Sequence, residues 1–231
     1  MDSLTLEVPA GGICAFLGPN GAGKSTTVKM LTGLLAPTSG QAQVGGFDVA
    51  ASPLDVQRII GVLPANLGLF DALTVEEHLH LSGPIYGLTR QETESRADQL
   101  LRALALEDGR HTFIDHCSYG MRKKTALAMA LLHNPRVLFL DEPFEGIDPV
   151  TSRTLRELMI TLAARGVTIF LTSHILPIVE RLAQQIVIIR DGRMVWNSRP
   201  DELPEGLEDM YFQLAEPPIE EELPWLGCAP S

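Results

Sequence analysis

Gly18-Pro19-Asn20-Gly21-Ala22-Gly23-Lys24-Ser25-Thr26 is the stretch that decides the fold of this chain. It fits G-x-x-x-x-G-K-[ST], a loop pattern that holds phosphate groups when it lies between a strand and a helix. Residues 13–17 before it form a short apolar run, and residues 27–35 after it carry apolar side chains at helical spacing. The sequence therefore predicts the order strand, phosphate loop, helix.

The residue types of this loop suit a nucleoside triphosphate. Gly18, Gly21 and Gly23 allow backbone angles that other residues avoid, so the N–H groups of the loop can approach phosphate oxygens at the positive end of the following helix. Lys24 is expected to reach the β- and γ-phosphates, and the Ser25 hydroxyl to bind Mg²⁺. A glycine-rich turn before an ordinary helix would explain the glycines but not Lys24 and Ser25 behind them.

Length and composition are those of a globular α/β protein. The chain has 231 residues, and no apolar run reaches the roughly 18 residues that cross a bilayer. The first residues lack the pattern of a secretory signal, so we expect a cytoplasmic protein. Cys14, Cys117 and Cys228 lie far apart, without metal-binding or disulfide spacing, which is typical of a reducing compartment.

The negative charge is concentrated at the end of the chain. The formal net charge is −11, and nine acidic residues follow Ser198 against Arg199 alone. An acidic surface argues against a nucleic-acid partner, which requires a basic face. We predict a nucleotide-binding domain over residues 1–197 and an acidic C-terminal extension over residues 198–231. The extension has an amphipathic pattern up to Leu214 and is expected to be disordered beyond it.

Several shorter elements surround the phosphate loop. The alternation of Leu4, Leu6 and Val8 predicts a half-buried strand, and residues 41–44 between two turns predict a small antiparallel β lobe. Capping boxes at Thr74 and Thr89 predict two helices, and residues 121–132 a third, which together form a helical insertion over about residues 74–132. Strands alternating with helices predict a parallel sheet covered on both faces, with strands over residues 59–63, 137–140 and 168–171 and a hairpin over residues 186–196.

A pair of carboxylates follows one of these strands, in Phe139-Leu140-Asp141-Glu142-Pro143. Open α/β sheets bind their ligands at the carboxyl ends of the strands. Asp141 is therefore expected to bind Mg²⁺, and Glu142 to polarise the water that attacks the γ-phosphate. Alone, the pair would be interpreted as solvated acids, but it follows a phosphate loop by more than a hundred residues.

Taken in order, the motifs of this chain resemble those of the ATP-binding cassette (ABC) ATPases, over nearly the whole chain. The resemblance implies a P-loop NTPase core with a small antiparallel β lobe and a helical insertion. A signature of the form Ser-x-Gly-Met followed by basic residues looks like the multidrug and ABC-2 type exporter branch. The matching motifs are the phosphate loop, the signature Ser118-Tyr119-Gly120-Met121, the acidic strand end at residues 138–142, the D-loop Gly146-Ile147-Asp148 and the switch histidine in Thr172-Ser173-His174.

The resemblance implies a role for each motif. Ser118 and Gly120 would contact the ATP held by a second cassette, so that two cassettes, as a homodimer or heterodimer, enclose two ATP molecules. Asp148, which the following Pro149 already predicts to be a helix N-cap, would by this resemblance also contact the partner, and His174 would contact the γ-phosphate. Without the resemblance, Ser118 would be only a helix cap and His174 a structural histidine. The remaining histidines are expected at the surface or in packing: His78, His80, His111, His116 and His133.

The implied function is ATP hydrolysis that drives export through a separate membrane permease, with this chain peripheral on the inner face of the cell membrane. Lys24, Glu142 and His174 would carry the catalysis, with ATP and Mg²⁺ bound. Two alternatives stay open: a regulatory or weakly hydrolysing cassette, and a soluble ABC ATPase that serves an assembly or nucleic-acid process. The transported substrate and the direction of transport are not encoded in these motifs. P-loop kinases and GTPases fit less well, because guanine-reading Asn-Lys-x-Asp is missing from the sequence.

The chain departs from the family pattern in three places. Ala65 stands where the family has a glutamine that touches the metal or its water, so we predict slower or less tightly coupled hydrolysis unless Asn66 supplies the contact. Residues 1–8 offer no aromatic side chain to stack on adenine, which predicts either weak adenine binding or a longer natural N-terminus. The signature carries Cys117, Tyr119 and Met121 in place of leucine, glycine and glutamine.

Overall fold

The structure is a computed structural model that describes residue 2, residues 4–202 and residues 206–215. Within these residues the strands are β1 (Ile13–Leu17), β2 (Gln43–Val44), β3 (Phe47–Asp48), β4 (Ile60–Leu63), β5 (Val137–Asp141), β6 (Thr168–Thr172), β7 (Gln185–Arg190) and β8 (Arg193–Ser198). The helices are α1 (Lys24–Leu31), α2 (Pro53–Ile59), α3 (Val75–Ile85), α4 (Arg90–Ala103), α5 (Tyr119–Leu131), α6 (Pro149–Ala164), α7 (Leu176–Leu182) and α8 (Leu207–Leu214), with 3₁₀ turns at Ile114–His116 and Pro200–Glu202.

The main sheet has six strands in the order β4-β5-β6-β1-β7-β8. The first five are parallel, and β8 pairs antiparallel with β7 at the edge. The hairpin between β7 and β8 turns at Asp191 and Gly192, whose φ angles of 52° and 77° fit the tight turn that suits a twisted hairpin. The predicted parallel sheet and its terminal hairpin are thus confirmed, and β2 with β3 forms the small antiparallel pair.

Both faces of the sheet are buried, which explains why its central strands are apolar throughout. All five residues of β1 are buried. Cys14 and Phe16 belong to a cluster with Val28 of α1 and Val56 of α2, whereas Ala15 and Leu17 join the larger cluster on the opposite face. Successive side chains of a strand point to opposite faces, so β1 takes part in both cores.

The helical insertion packs closely on the sheet through α5. A Cβ atom added to Gly61 of β4 would lie only 2.2 Å from the carbonyl oxygen of Ala130, so this strand can approach the helix because it has glycine there. The capping boxes at Thr74 and Thr89 are both formed, and they begin α3 and α4 as the sequence predicts. The predicted helical insertion therefore contains α3, α4 and α5.

Two local expectations need correction, and one helix was missed. No strand forms at Leu4, Leu6 and Val8, although these residues are half-buried against the α1 face and alternate with exposed neighbours. Alternation reports burial on one side, but a strand also needs a neighbouring backbone to pair with. Helix α1 spans Lys24–Leu31 rather than residues 27–35, and α2 was not predicted at all.

The C-terminal extension contributes one helix to the fold. The predicted amphipathic helix is confirmed as α8, which begins at Leu207 instead of near Pro200 and buries Leu207 and Tyr211 in the larger core. The expectation of disorder concerns residues 216–231, which lie outside the described residues. Among the residues that the structure does describe, no helix has both the length and the hydropathy needed to cross a membrane.

Candidate nucleotide-binding site

Three of the predicted motifs meet at one edge of the sheet because of the strand order. β6 lies between β1 and β5, and the three strands are parallel. The loop of residues 18–23 leaves the carboxyl end of β1, Asp141 ends β5, and Thr172 ends β6. The sheet therefore places the phosphate loop, the acidic pair and the switch histidine on one side, where open α/β sheets bind ligands.

The phosphate loop is shaped by its glycines. A Cβ atom on Gly18 would lie 2.4 Å from the carbonyl oxygen of Ile189 in β7, so only glycine fits there. Gly21 and Gly23 have φ angles of 82° and 109°, which lie in the region that favours glycine. Gly23 is the N-cap of α1, whose first N–H groups have no partner within the helix and point toward the loop.

Lys24 folds back over this loop. Its Nζ donates to the carbonyl oxygens of Gly18 at 2.5 Å and Pro19 at 3.2 Å. An ammonium group has three donors, so this arrangement leaves one for a further acceptor such as a phosphate oxygen. The lysine is thus held at the loop by the protein itself.

Ser25, Asp141 and Thr172 form a connected group of oxygen atoms. Ser25 Oγ lies 3.4 Å from Asp141 Oδ2, and Thr172 Oγ1 donates to Asp141 Oδ1 at 2.5 Å. Thr172 is fully buried, and its hydroxyl also accepts the Glu142 N–H at 3.1 Å. The supporting role of the Thr172 hydroxyl was missed in the sequence, because its partners lie on a different strand.

This oxygen group is suited to Mg²⁺ bound together with a nucleotide, and not to a metal whose ligands all come from the protein. In the described part of the chain, no cluster of three or more His, Cys, Asp or Glu side chains could hold a metal ion. Mg²⁺ prefers oxygen and usually takes only one or two protein ligands, because water and substrate phosphates fill the remaining positions. Ser25 and Asp141 supply such a pair beside the phosphate loop.

Glu142 and His174 meet across β5 and β6. Glu142 Oε2 lies 2.9 Å from His174 Nδ1 and accepts the His174 backbone N–H at 3.2 Å. Burial raises the pKa of Glu142, while the charges and hydrogen bonds of His174 and the charge of Lys24 act in the opposite direction. Glu142 also has a φ angle of 49°, which is unusual for a residue with a side chain.

The signature lies beside the D-loop. Ser118 is the N-cap of α5, and its Oγ accepts the Met121 N–H at 3.2 Å. A Cβ atom on Gly120 would be in ordinary contact with Asp148, at 3.6 Å from its Oδ2. Asp148 Oδ1 accepts the N–H groups of Val150 and Thr151 at 2.9 Å, so the predicted helix cap is formed. The hydrogen bond from the Thr151 hydroxyl, together with these backbone bonds, lowers the pKa of Asp148.

Lys123 was not predicted as part of the site. It is only 2% exposed, and its Nζ donates to the carbonyl oxygens of Glu142 and Glu145, both at 2.7 Å. Burial lowers its pKa. The signal in the sequence was helical spacing, because Lys123 shares the buried side of α5 with Ala126, Leu127 and Ala130.

The position after β4 is exposed. Ala65 has no polar side-chain atom, and Asn66 Oδ1 is 3.5 Å from the N–H of Gly68 in its own loop. A bond of this length is weak, so Asn66 is only loosely held. The expectation that Ala65 slows hydrolysis therefore stays a prediction.

The parallel sheet, the phosphate loop after its central strand and the acidic pair after β5 define a P-loop nucleoside triphosphatase. Comparison with known proteins gives the family. Residues 1–145 match the ABC transporter family. The chain belongs to this family and is an ABC ATPase, as the resemblance of its motifs indicated.

Two relatives and one solved structure illustrate the similarity. The ABC transporter ATP-binding protein NatA of Bacillus subtilis (strain 168) is 36% identical over 213 residues, covering 91% of this chain and 86% of NatA. The daunorubicin/doxorubicin resistance ATP-binding protein DrrA of Streptomyces peucetius is 37% identical over 93% of this chain, which spans 65% of DrrA. The structure of an ATP-binding subunit of an ABC transporter has a TM-score of 0.84 and 35% identity, covering 91% of this chain and 90% of that one.

Proposed function

We propose that this chain hydrolyses ATP as one half of a dimer of cassettes and thereby drives export through a separate membrane permease. The observation that carries the proposal is the convergence of Lys24, Ser25, Asp141, Glu142 and His174 at the carboxyl ends of three adjacent strands. These are the groups needed to hold a triphosphate, to bind its metal and to orient a water molecule.

Binding of the triphosphate is assigned to residues 18–26. The N–H groups of the loop and of the first turn of α1 would surround the phosphates, and Lys24 would add its remaining donor. Ser25 and Asp141 would hold Mg²⁺, which neutralises charge on the β- and γ-phosphates when it is bound. Thr172 keeps Asp141 in place through its buried hydroxyl.

Glu142 is the residue that orients the attacking water and receives its proton. Its raised pKa suits a proton acceptor, because a carboxylate of higher pKa binds the proton more readily. His174 fixes the Glu142 carboxylate through two hydrogen bonds and faces the γ-phosphate side of the site. The catalysis is mainly positioning and stabilisation of charge.

The dimer is inferred from the second group of motifs. Ser118, Gly120 and Asp148 gather around the first turn of α5, a helix N-terminus that can face an anion. We assign this group to the ATP of the second cassette, which is a homodimer or a heterodimer partner. The similarity to DrrA, a drug-resistance protein, and the Ser-x-Gly-Met signature favour an exporter, with the cassettes on the inner face of the cell membrane.

A weakly hydrolysing, regulatory cassette is the second candidate. It is favoured by Ala65, whose methyl side chain can neither coordinate the metal nor hydrogen-bond to its water. Retention of both Glu142 and His174 in direct contact favours an active enzyme instead.

Turnover of the purified full chain with ATP and Mg²⁺ separates the two candidates. We expect phosphate release that Glu142→Gln abolishes, together with an ATP-dependent dimer that this variant retains in size-exclusion chromatography. The matched control is Glu157→Gln, which changes an exposed acid on α6 that pairs with Arg153. Equal, very slow phosphate release by wild type and Glu142→Gln would favour the regulatory cassette.

A further inference from the structure

Lys123 is a buried cation whose hydrogen-bond partners are main-chain carbonyls. Its Nζ donates at 2.7 Å to the oxygens of Glu142 and Glu145, and the side chain is 2% exposed. Burial of an ammonium group is costly unless its donors are satisfied, and an apolar side chain would fill the same space without that cost. The position of this lysine therefore calls for a reason beyond packing.

The carbonyls that Lys123 binds belong to the turn that carries the catalytic carboxylate. Glu142 is in the left-handed region, with a φ angle of 49°, and the Glu145 N–H donates to the Glu142 carbonyl at 3.3 Å. Residues with side chains keep this conformation only where their surroundings hold it. The Glu142 N–H is held by Thr172 at 3.1 Å, and its carbonyl is held by Lys123. Lys123 thus fixes one side of the residue that orients the water.

A second contact joins the same helix to the same turn. The Lys123 ammonium lies 5.1 Å from the centre of the Tyr119 ring, one helical turn earlier in α5. A Cβ atom on Gly146, which has a φ angle of 68°, would lie 2.9 Å from the Tyr119 ring. The ring therefore covers the backbone of the D-loop. The first two turns of α5 therefore contact residues 142–146 through the side chains of Tyr119 and Lys123.

We propose that Lys123 is a positioning residue that couples the position of α5, the helix that begins at the signature, to the position of Glu142 in the same chain. The proposal rests on the proposed function, in which the N-terminus of α5 contacts the ATP of the second cassette. Glu142 acts on the ATP bound by its own chain, so α5 and Lys123 connect the two ATP sites of the dimer. ATP binding at one site then changes the orientation of the Glu142 carboxylate at the other site.

The chain offers a matched control for this proposal. Lys124 is the next residue of α5 and also donates to a main-chain carbonyl, that of Leu104 at 2.8 Å. Its acceptors, the carbonyl oxygens of Leu104 and Ala105, lie at the end of α4, and it has no bond to the carbonyls of Glu142 and Glu145 that Lys123 holds. Lys123→Met and Lys124→Met remove the same charge from adjacent positions. A difference between their ATPase kinetics therefore measures the effect of losing the bonds from Lys123 to the catalytic turn.

The first measurement is the steady-state kinetics of ATP hydrolysis by the full chain. We expect Lys123→Met to lower kcat by about tenfold or more, because a small misplacement of a catalytic group is costly. KM for ATP should stay near its wild-type value, and the Hill coefficient for ATP should fall. Lys124→Met should keep wild-type kinetics. Wild-type kcat and cooperativity in a folded Lys123→Met variant would overturn the proposal, as would equal losses in both variants.

Lys123→Gln protects the test against misfolding. Glutamine has N–H donors without the charge, but its side chain is shorter and cannot hold both carbonyls as Lys123 does, so the turn loses part of its support. If Lys123→Met does not fold, Lys123→Gln decides the question: a reduced kcat with unchanged KM and thermal midpoint supports the proposal, and wild-type kcat contradicts it.

The second measurement is hydrogen–deuterium exchange of peptides covering residues 142–148, with and without ATP and Mg²⁺ in a Glu142→Gln background. We expect ATP to slow exchange in this segment when Lys123 is present and to have little effect after Lys123→Met. Equal protection in both proteins would contradict the proposal. This readout does not depend on turnover, so it decides on Lys123 even if the comparison of wild type with Glu142→Gln shows that the chain does not hydrolyse ATP.

Discussion

Glu142 Oε2 accepts the backbone N–H of His174 at 3.2 Å and lies 2.9 Å from the Nδ1 of its imidazole ring. The carboxylate is largely buried, with 15% of its side chain exposed, whereas 55% of the histidine side chain is exposed. The histidine can therefore contact a bound triphosphate from the solvent side while it fixes the carboxylate behind it. The pair forms because β5 and β6 are neighbours and both motifs follow directly after these strands.

We expect His174→Ala to reduce kcat by about 100-fold, because the Glu142 carboxylate loses its side-chain partner and its orientation. ATP binding should change little, since the phosphate loop is untouched. Single-turnover phosphate release and equilibrium nucleotide binding measure the two quantities separately. The control is His80→Ala, which changes an exposed histidine of α3. A loss of ATP affinity that accounts for the whole rate effect would contradict the positioning role.

Ala65→Gln should raise the hydrolysis rate. The position lies two residues beyond the apolar end of β4 and is exposed, so a longer polar side chain can be accommodated there. A single new hydrogen bond contributes about 1 kcal/mol, which corresponds to about fivefold in rate if it forms mainly in the transition state. Steady-state ATPase assays provide the measurement. Ala72→Gln, at another exposed alanine of the same loop region, should leave the rate unchanged. No gain for Ala65→Gln over this control would show that the family glutamine is not needed here.

The motifs that determine the fold could be predicted from the sequence because each is local. The loop at Gly18, the capping box at Thr74 and the helix cap at Asp148 depend on residues only a few positions apart, and all three form as predicted. The strand predicted at Leu4, Leu6 and Val8 does not form, because strand formation does not depend on local residues alone. Their alternation is real and appears as alternating burial, but strand pairing depends on a neighbouring backbone that the pattern does not reveal.

The missed residues of the site share one property, which is that their partners are distant in sequence. The Thr172 hydroxyl bonds to Asp141, 31 residues away, and Lys123 bonds to the carbonyls of Glu142 and Glu145. A lysine in a helix is normally taken as solvent-exposed. These contacts become apparent only in the folded chain, where β5 lies beside β6 and Lys123 of α5 lies against the turn that follows β5.

Thr172→Val should weaken both the fold and the metal site. Valine has nearly the same shape but no hydroxyl, so Asp141 loses a donor and the buried Glu142 N–H loses its acceptor. Leaving such a group unpaired costs about 1–3 kcal/mol of unfolding free energy. Urea unfolding measures this cost, and the Mg²⁺ concentration for half-maximal ATPase activity should rise. Thr32→Val is the control, because the buried Thr32 hydroxyl donates to carbonyls of its own helix. Equal costs in both variants would contradict the specific role of Thr172.

The final prediction concerns the pH dependence of stability and rests on His133. Its Nε2 lies 2.9 Å from the carbonyl oxygen of Ile60, which makes it the donor, and its ring stacks on Tyr86 with centroids 3.7 Å apart. Among the described residues, the buried Nδ1 has no hydrogen-bond partner. Burial lowers the pKa of His133, the bond to Ile60 raises it, and the charge of Arg96 lowers it further.

Because the folded pKa of His133 lies below the value of about 6.5 for an unfolded histidine, the unfolded chain binds more protons in this range. The contribution of His133 is therefore fully present above that pH and is lost as the pH falls through the folded pKa. We expect His133→Gln, which keeps an N–H donor but does not titrate, to lose less unfolding free energy than wild type between pH 7.5 and pH 5.5. Urea unfolding at several pH values measures the difference. His116→Gln, at a side chain that is 73% exposed, should retain the wild-type slope, and an equal slope in His133→Gln would show that His133 is not the titrating group.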